Sequence, residues 1–217
     1  YYVNDAGRQM NILAASVWLR YLQQLDVNIP FPVNGYKGDY VLDIATELVS
    51  KYGGVYVHEA KQVMNGIPAD EPDDGDKEIH IDALIERAKL LLGDDGYRVM
   101  FEAGLDSILA DIAEDLEEFC VHYDVWSSEQ TFADRKLIDK AVQQLQHAGH
   151  VYEDKGALWF RSTSFGDEKD RVIIRDNGQA TYFASDIAYH MDKFARGFNR
   201  VINIWGADHH GYVPRVK

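Results

Sequence analysis

Four short stretches of this 217-residue chain gather side chains able to do chemistry. The last is "GADHHG", where Asp208, His209 and His210 follow the apolar run "RVINIW" directly. Adjacent histidines on an extended backbone point in different directions and rarely ligate one metal together. Zinc helices space theirs at i and i+4. No third ligand stands at a suitable spacing, so neither a structural metal nor a metal-dependent hydrolase built on His209 and His210 is expected. Gly206 permits close backbone approach to a ligand, and Asp208 is suited to accept from ribose hydroxyls. The competing reading is a polar loop with no ligand.

The second stretch is "TYFASDIAYH". Tyr182 and Asp186 are four apart, on one face of a helical turn. A carboxylate beside a phenol offers a guanidinium a forked acceptor and a wall of matching shape. Alternatively, Asp186 is an acid in the first helical turn favoured by the helix dipole, with Tyr182 in the core. Spacing alone favours this second reading. The third and fourth stretches are "VNDAGRQ", with Asn4, Asp5 and Gln9, and "YDVWSSEQ", with Asp124, Ser127, Ser128 and Glu129. Each reads either as an ordinary turn or cap, or as a polar strand end. Three clustered strand ends favour one shared crevice over three separate accidents.

The elements that must hold these residues follow from pattern. A helix is expected from Arg8, capped by Asn4 or Asp5, because Ile12, Leu13, Val17, Leu19, Tyr21 and Leu22 suit a mostly buried helix. "DVNIPFPVNGYKGDY" ends it, and a second helix is expected over 41–52. "NGIPADEPDDGDKE" reads as a mobile acidic loop. Helices over 79–92 and 97–118 meet at "GDDG". "FCVHYDVWSSEQ" reads as a buried strand with Cys120 in the core. An amphipathic helix should end at Gly149, "GALWFRSTSFG" and "DRVIIRDNGQATYFAS" read as strands, and Asp176-Asn177-Gly178 signals a hairpin turn. "ASDIAYHMDKFARGF" is a helix and "RVINIW" a final buried strand. Strands and helices alternating at both ends of a long excursion predict an α/β parallel-sheet domain interrupted by an insertion. In such sheets ligands bind beyond the carboxyl ends of the strands.

Bulk properties narrow the classes. A lone cysteine excludes an internal disulfide and a paired-cysteine zinc site, and points to reducing cytosol. No apolar run approaches the roughly 18 residues of a membrane span. The formal charge of −14 argues against nucleic acid at first sight, yet between Gly66 and Glu129 there are 19 acidic residues against 4 basic ones. The acidity is local, most simply solvated helix faces, and leaves a polyanionic partner room elsewhere. Tyr1 in place of Met makes an internal piece of a longer protein the expectation.

Four blocks, "YYVNDAGRQM", "YDVWSSEQ", "GDEKDRVIIRDNGQATYFASDIAYHMDKFARGF" and "INIWGADHHGYVPRVK", resemble bacterial arginyl-tRNA synthetases in the same order. The resemblance spans nearly the whole chain and is weakest over 26–118. It implies a class I synthetase: a partial Rossmann-type parallel sheet interrupted by a helical and mixed α+β connective insertion. Residues 1–130 would be the first catalytic part, 131–180 the insertion and 181–217 the second catalytic part. The implied activity joins arginine to ATP, with Mg2+, as an adenylate and passes arginyl to tRNA(Arg) in the cytoplasm. By resemblance Tyr182 and Asp186 contact the substrate guanidinium, and Gly206, Asp208 and His209 line the ATP and adenylate site. Asn4, Asp5, Gln9, Asp124 and Glu129 border the same pocket. The family's His-x-Gly-His and Lys-Met-Ser-Lys-Ser elements do not occur in the sequence. The chain is therefore expected to be the central fragment of the catalytic region, inactive by itself and prone to self-association. The alternative from another class is a non-catalytic synthetase-like module that binds a ligand or a protein.

Overall fold

In the computed structural model, which describes residues 1–134 (132–134 by backbone alone), 136–207 and 210–213, Arg8–Gln24 form helix α1. Every residue from Ile12 to Leu19 is buried, as are Tyr21 and Leu22. A helix apolar all round has to be enclosed, and α1 packs against α2 (Asp39–Tyr52) and α4 (Lys77–Glu118). Polar groups on it are matched. The Ser16 hydroxyl donates to the Ile12 carbonyl (2.7 Å) and accepts from the Tyr36 amide (2.9 Å). Trp18 Nε1 donates to the Tyr56 carbonyl at 3.1 Å. The expected cap is corrected: the N-cap is Gly7, which makes no side-chain cap bond, while Asp5 is buried and Asn4 exposed. The backbone is extended at Gly7 (φ −77°, ψ 158°), which puts the helix start two residues past Asp5.

The two expected acidic helices exist as one element, α4, broken at Gly93 (φ 63°, ψ 178°). That backbone region is open essentially to glycine. Gly93→Ala is therefore expected to destabilise the fold by about 1–3 kcal/mol, although an added Cβ would meet nothing within 4 Å. Urea unfolding measures it, and an unchanged midpoint would show that the joint relaxes without strain. The loop before α4, expected to be mobile, is tied down after the short helix α3 (Ala60–Val63). Asp70 Oδ2 accepts from the Val33 amide (2.8 Å) and Oδ1 from that of Glu71 (2.8 Å). The buried His80 ring contacts the Pro68 carbonyl through Nδ1 (2.7 Å). Burial alone would raise the Asp70 pKa, but those two amides and His80 outweigh it and hold the carboxyl below its usual range.

The protein forms two compact units, Tyr1 with Val3–Trp126 and Tyr2 with Ser127–Lys217. In the second, α5 (Glu129–Asp134) precedes the amphipathic α6 (Leu137–His147), which ends at Gly149 with φ 77°. Strands β3 (Val151–Asp154), β4 (Ala157–Phe160) and β5 (Arg171–Ile174) make an antiparallel sheet in that order. The expected hairpin turn after β5 is present: Gly178 has φ 82°, and the Arg175 amide donates to the Gln179 carbonyl at 2.8 Å. Helix α7 (Tyr182–Ala195) starts at Thr181, whose Oγ1 accepts from the Ala184 amide. It packs on β5 and α6, around Val142, Ile173 and Ala184 with Phe160, Phe183 and Ile187 against them.

Three expectations fail. Residues 201–206 carry no strand, and Ile202 and Ile204 are 74% and 94% exposed. Residues 121–126 are likewise irregular, and Cys120 is exposed, at φ 58° past the end of α4, instead of in the core. A strand exists only if its amides and carbonyls find a neighbouring strand. Among the described residues nothing pairs with 201–206. The remaining strands, β1 (Tyr2–Val3) and β2 (Ser127–Ser128), form a two-stranded sheet of two residues each. The described fold is thus a helix-rich mixture of α and β.

A candidate cation-binding site on α7

Helix α7 carries Tyr182, Asp186, Tyr189, His190 and Lys193 at one-turn and two-turn spacings, so one side of it gathers polar and aromatic groups. Tyr182 is the first helical residue and is 83% exposed, which corrects the expectation of a core tyrosine under the dipole reading. It lines a cleft of about 370 Å³ together with Arg171, Arg175, Thr181, Phe183 and Tyr212. One turn on, Asp186 accepts a hydrogen bond at Oδ2 from the Tyr212 hydroxyl. Its backbone carbonyl takes His190 Nδ1 at 2.8 Å.

Around Asp186 the environment is acidic and aromatic. The Tyr2 ring lies edge-on to Tyr189 with centroids 5.0 Å apart. Burial first, then the charge of Glu129, a hydrogen bond to Glu129 and the charge of Asp186 push the Tyr2 phenol above its ordinary range. Both carboxylates thus act on one tyrosine, which stays protonated and donates. Lys193 sits 4.0 Å from the centroid of the Tyr189 ring, and its Nζ donates to Asn203 Oδ1 at 3.2 Å. Burial and the nearby Arg196 lower its pKa, while Asp186 works the other way. This surface already holds one cation against an aromatic face beside a carboxylate. Two carboxylates among aromatic faces recognise a cation by charge and by ring quadrupole.

The other sequence candidates fall as follows. Glu129 opens α5 and joins the Tyr2 group. Asn4, Asp5, Gln9 and Asp124 belong to the first unit, where Gln9 Oε1 accepts from the Tyr36 hydroxyl at 2.9 Å. Gly206 is exposed on irregular backbone. Asp208 and His209 lie outside the described residues. Among the described residues no group of three His, Cys, Asp or Glu is placed to hold a metal ion, and no helix is long and apolar enough to cross a membrane. Sequence reading missed Tyr2, Tyr189, Lys193 and Tyr212. Tyr189 and Lys193 stand three and seven residues after Asp186, a spacing that helical periodicity would have returned. Tyr2 and Tyr212 are placed by tertiary contacts, and local pattern carries no sign of them.

Comparison with known proteins gives this face a context. No protein-family model matches the chain. Curated relatives do: an arginine–tRNA ligase of Thioalkalivibrio sulfidiphilus is 64% identical over 217 residues, all of this chain and 37% of the relative. One of Hydrogenovibrio crunogenus is 58% identical over 223 aligned residues, 100% of this chain and 38% of the relative. A crystal structure from Campylobacter jejuni described as an arginyl-tRNA synthetase superposes with a TM-score of 0.67 at 36% identity, covering 100% of this chain and 40% of the other. The described fold is therefore of the arginyl-tRNA synthetase kind. Over its whole length the chain is related to the arginine–tRNA ligases, and it spans about 37% of the length of those it matches.

Proposed function

We propose that this chain supplies the amino-acid-recognising part of an arginine–tRNA ligase, which activates arginine with ATP and transfers arginyl to tRNA(Arg). The observation that carries the reading is Asp186 one turn along α7 from the exposed Tyr182, within an acidic and aromatic surround made by Glu129, Tyr2 and Tyr189. A guanidinium is planar, permanently charged and weakly hydrated, so it gains from forked acceptors and ring faces together. Asp186 would hold the fork, and Tyr182 would close over it from the turn before. Gly206, Asp208 and His209 would border the ATP and adenylate, as the relatedness suggests. A Mg2+ ion is expected with the ATP; among the described residues no group of three His, Cys, Asp or Glu is placed to hold it. Residues 1–130 and 181–217 would be the two parts of a split Rossmann-type domain, with 131–180 its insertion.

The test is amino-acid-dependent ATP–pyrophosphate exchange by the full-length protein with saturating tRNA(Arg). Arginine should support it, and lysine should support at least on the order of 100-fold less at equal concentration. A site built for a fork leaves acceptors unmatched when offered a point charge. Equal exchange with lysine would remove the guanidinium reading. No exchange with any amino acid would favour a non-catalytic binding module.

A further inference from the structure

We propose that Tyr212 is a positioning residue for the arginine site, its hydroxyl fixing the Asp186 carboxylate in the orientation that receives the guanidinium. The proposal rests on the reading of Asp186 as the guanidinium acceptor. Tyr212 lies 26 residues beyond Asp186, donates to its Oδ2, and lines the same cleft as Tyr182. Its own ring is set edge-on to Trp205, with centroids 6.0 Å apart and planes at 72°. An ionised carboxylate only accepts, so the phenol is the donor in this pair. The carboxylate has about four lone-pair sites and one hydroxyl engages one of them, which leaves acceptors for a forked ligand. A carboxylate without such a partner turns about its terminal torsion, whose preference is broad. Binding would then have to freeze that torsion, and a pre-set acceptor reduces the ordering cost. The half-buried Tyr212 is held by Trp205 on one side and by Asp186 on the other, which suits it to that task.

The role predicts a split between binding and turnover. In the full-length protein, Tyr212→Phe should raise KM for arginine roughly three- to tenfold in pyrophosphate exchange, the size of the ordering cost of one immobilised side chain. The kcat and the KM for ATP should stay within about twofold, because the loss is equal in ground and transition states. Tyr212→Leu, which also removes the ring from Trp205, should do no worse than Phe. In an Asp186→Asn background, Tyr212→Phe should add less than about twofold, since coupled partners are not additive. The proposal is overturned if Tyr212→Phe leaves KM for arginine within twofold. It is equally overturned if only the Leu variant suffers, which would make Tyr212 a packing residue, or if the effect adds in full to that of Asp186→Asn. Should Asp186→Asn itself leave arginine affinity unchanged, the reading of Asp186 falls, a result told apart from a failure of Tyr212 alone.

Discussion

Asp186→Asn in the full-length protein is expected to raise the arginine dissociation constant roughly 10- to 150-fold. Charge-assisted hydrogen bonds from a guanidinium to a carboxylate are each worth about 1.5–3 kcal/mol, and about 1.4 kcal/mol is tenfold in Kd. The amide keeps the shape, loses the charge, and presents a donor where the ligand also presents one. Its position in the structure adds a second cost: the Tyr212 hydroxyl that donates to Asp186 loses an ionised acceptor. Glu129, the other carboxylate acting on Tyr2, would still attract a cation and limit the loss. ATP affinity should change by less than about twofold, because the change removes no acceptor that ATP uses. Tyr182→Phe should cost less, on the order of 1 kcal/mol for one neutral hydrogen bond. Calorimetric titration of arginine into each variant decides the matter. Binding by Asp186→Asn within twofold of the parent would return Asp186 to the role of an ordinary early-helix acid.

The second large effect concerns stability. Arg171 is fixed by Asp167 through two parallel bonds, Nε to Oδ2 and Nη2 to Oδ1, both 2.7 Å. The side chains are 17% and 6% exposed. Asp167 also accepts from the Glu168 amide at 2.8 Å, so one carboxylate closes the connection between β4 and β5. Removing one partner of such a pair strands the other charge. Fully buried pairs lose about 3–5 kcal/mol, and this one, near solvent in a small unit, should lose roughly 2–4 kcal/mol in Asp167→Ala. The hydrogen bonds from Arg171, set against a smaller desolvation effect, hold the Asp167 carboxyl well below the usual carboxylate range. A depressed pKa stabilises the fold above the unfolded value, and the contribution is lost as pH falls through the folded one. The difference in melting temperature between parent and variant should therefore be constant from neutral pH to about pH 4 and shrink below it. A difference that is absent at pH 7, or that grows on acidification, would show that the pair contributes nothing net.

What could be read from the sequence had local causes. Gly149, Gly178 and the Thr181-to-Ala195 stretch carry their signals within a few residues, and helices α1, α2, α6 and α7 appear where periodicity puts them. The break in α4 falls at Gly93, the first residue of the Gly-Asp-Asp-Gly stretch that marked the joint in the sequence. Errors arose where the outcome depended on a distant partner. "RVINIW" has the composition of a buried strand, but composition does not supply a neighbour to pair with, and Ile204 stands in solvent. The acidic loop read as mobile because its anchor, the amide of Val33, is 37 residues from Asp70. At the α7 site, Tyr182 and Asp186 were legible as a spacing, whereas Tyr212 meets Asp186, and Glu129 and Asp186 both act on Tyr2, only through the fold.

The enclosure of α1 has a consequence for how the first unit breathes. With Ile12 to Leu19, Tyr21 and Leu22 all buried, no side of this helix can fray without opening its contacts to both α2 and α4. Local openings release protected amides only where few apolar contacts hold them. Amide protons in the middle of α1 should thus exchange with deuterium at the rate set by global unfolding of the unit, while those around Gly93 exchange far sooner. The same enclosure leaves the stretch from Ile12 to Leu19 little freedom to drift in sequence, because every substitution in it is a substitution in the core.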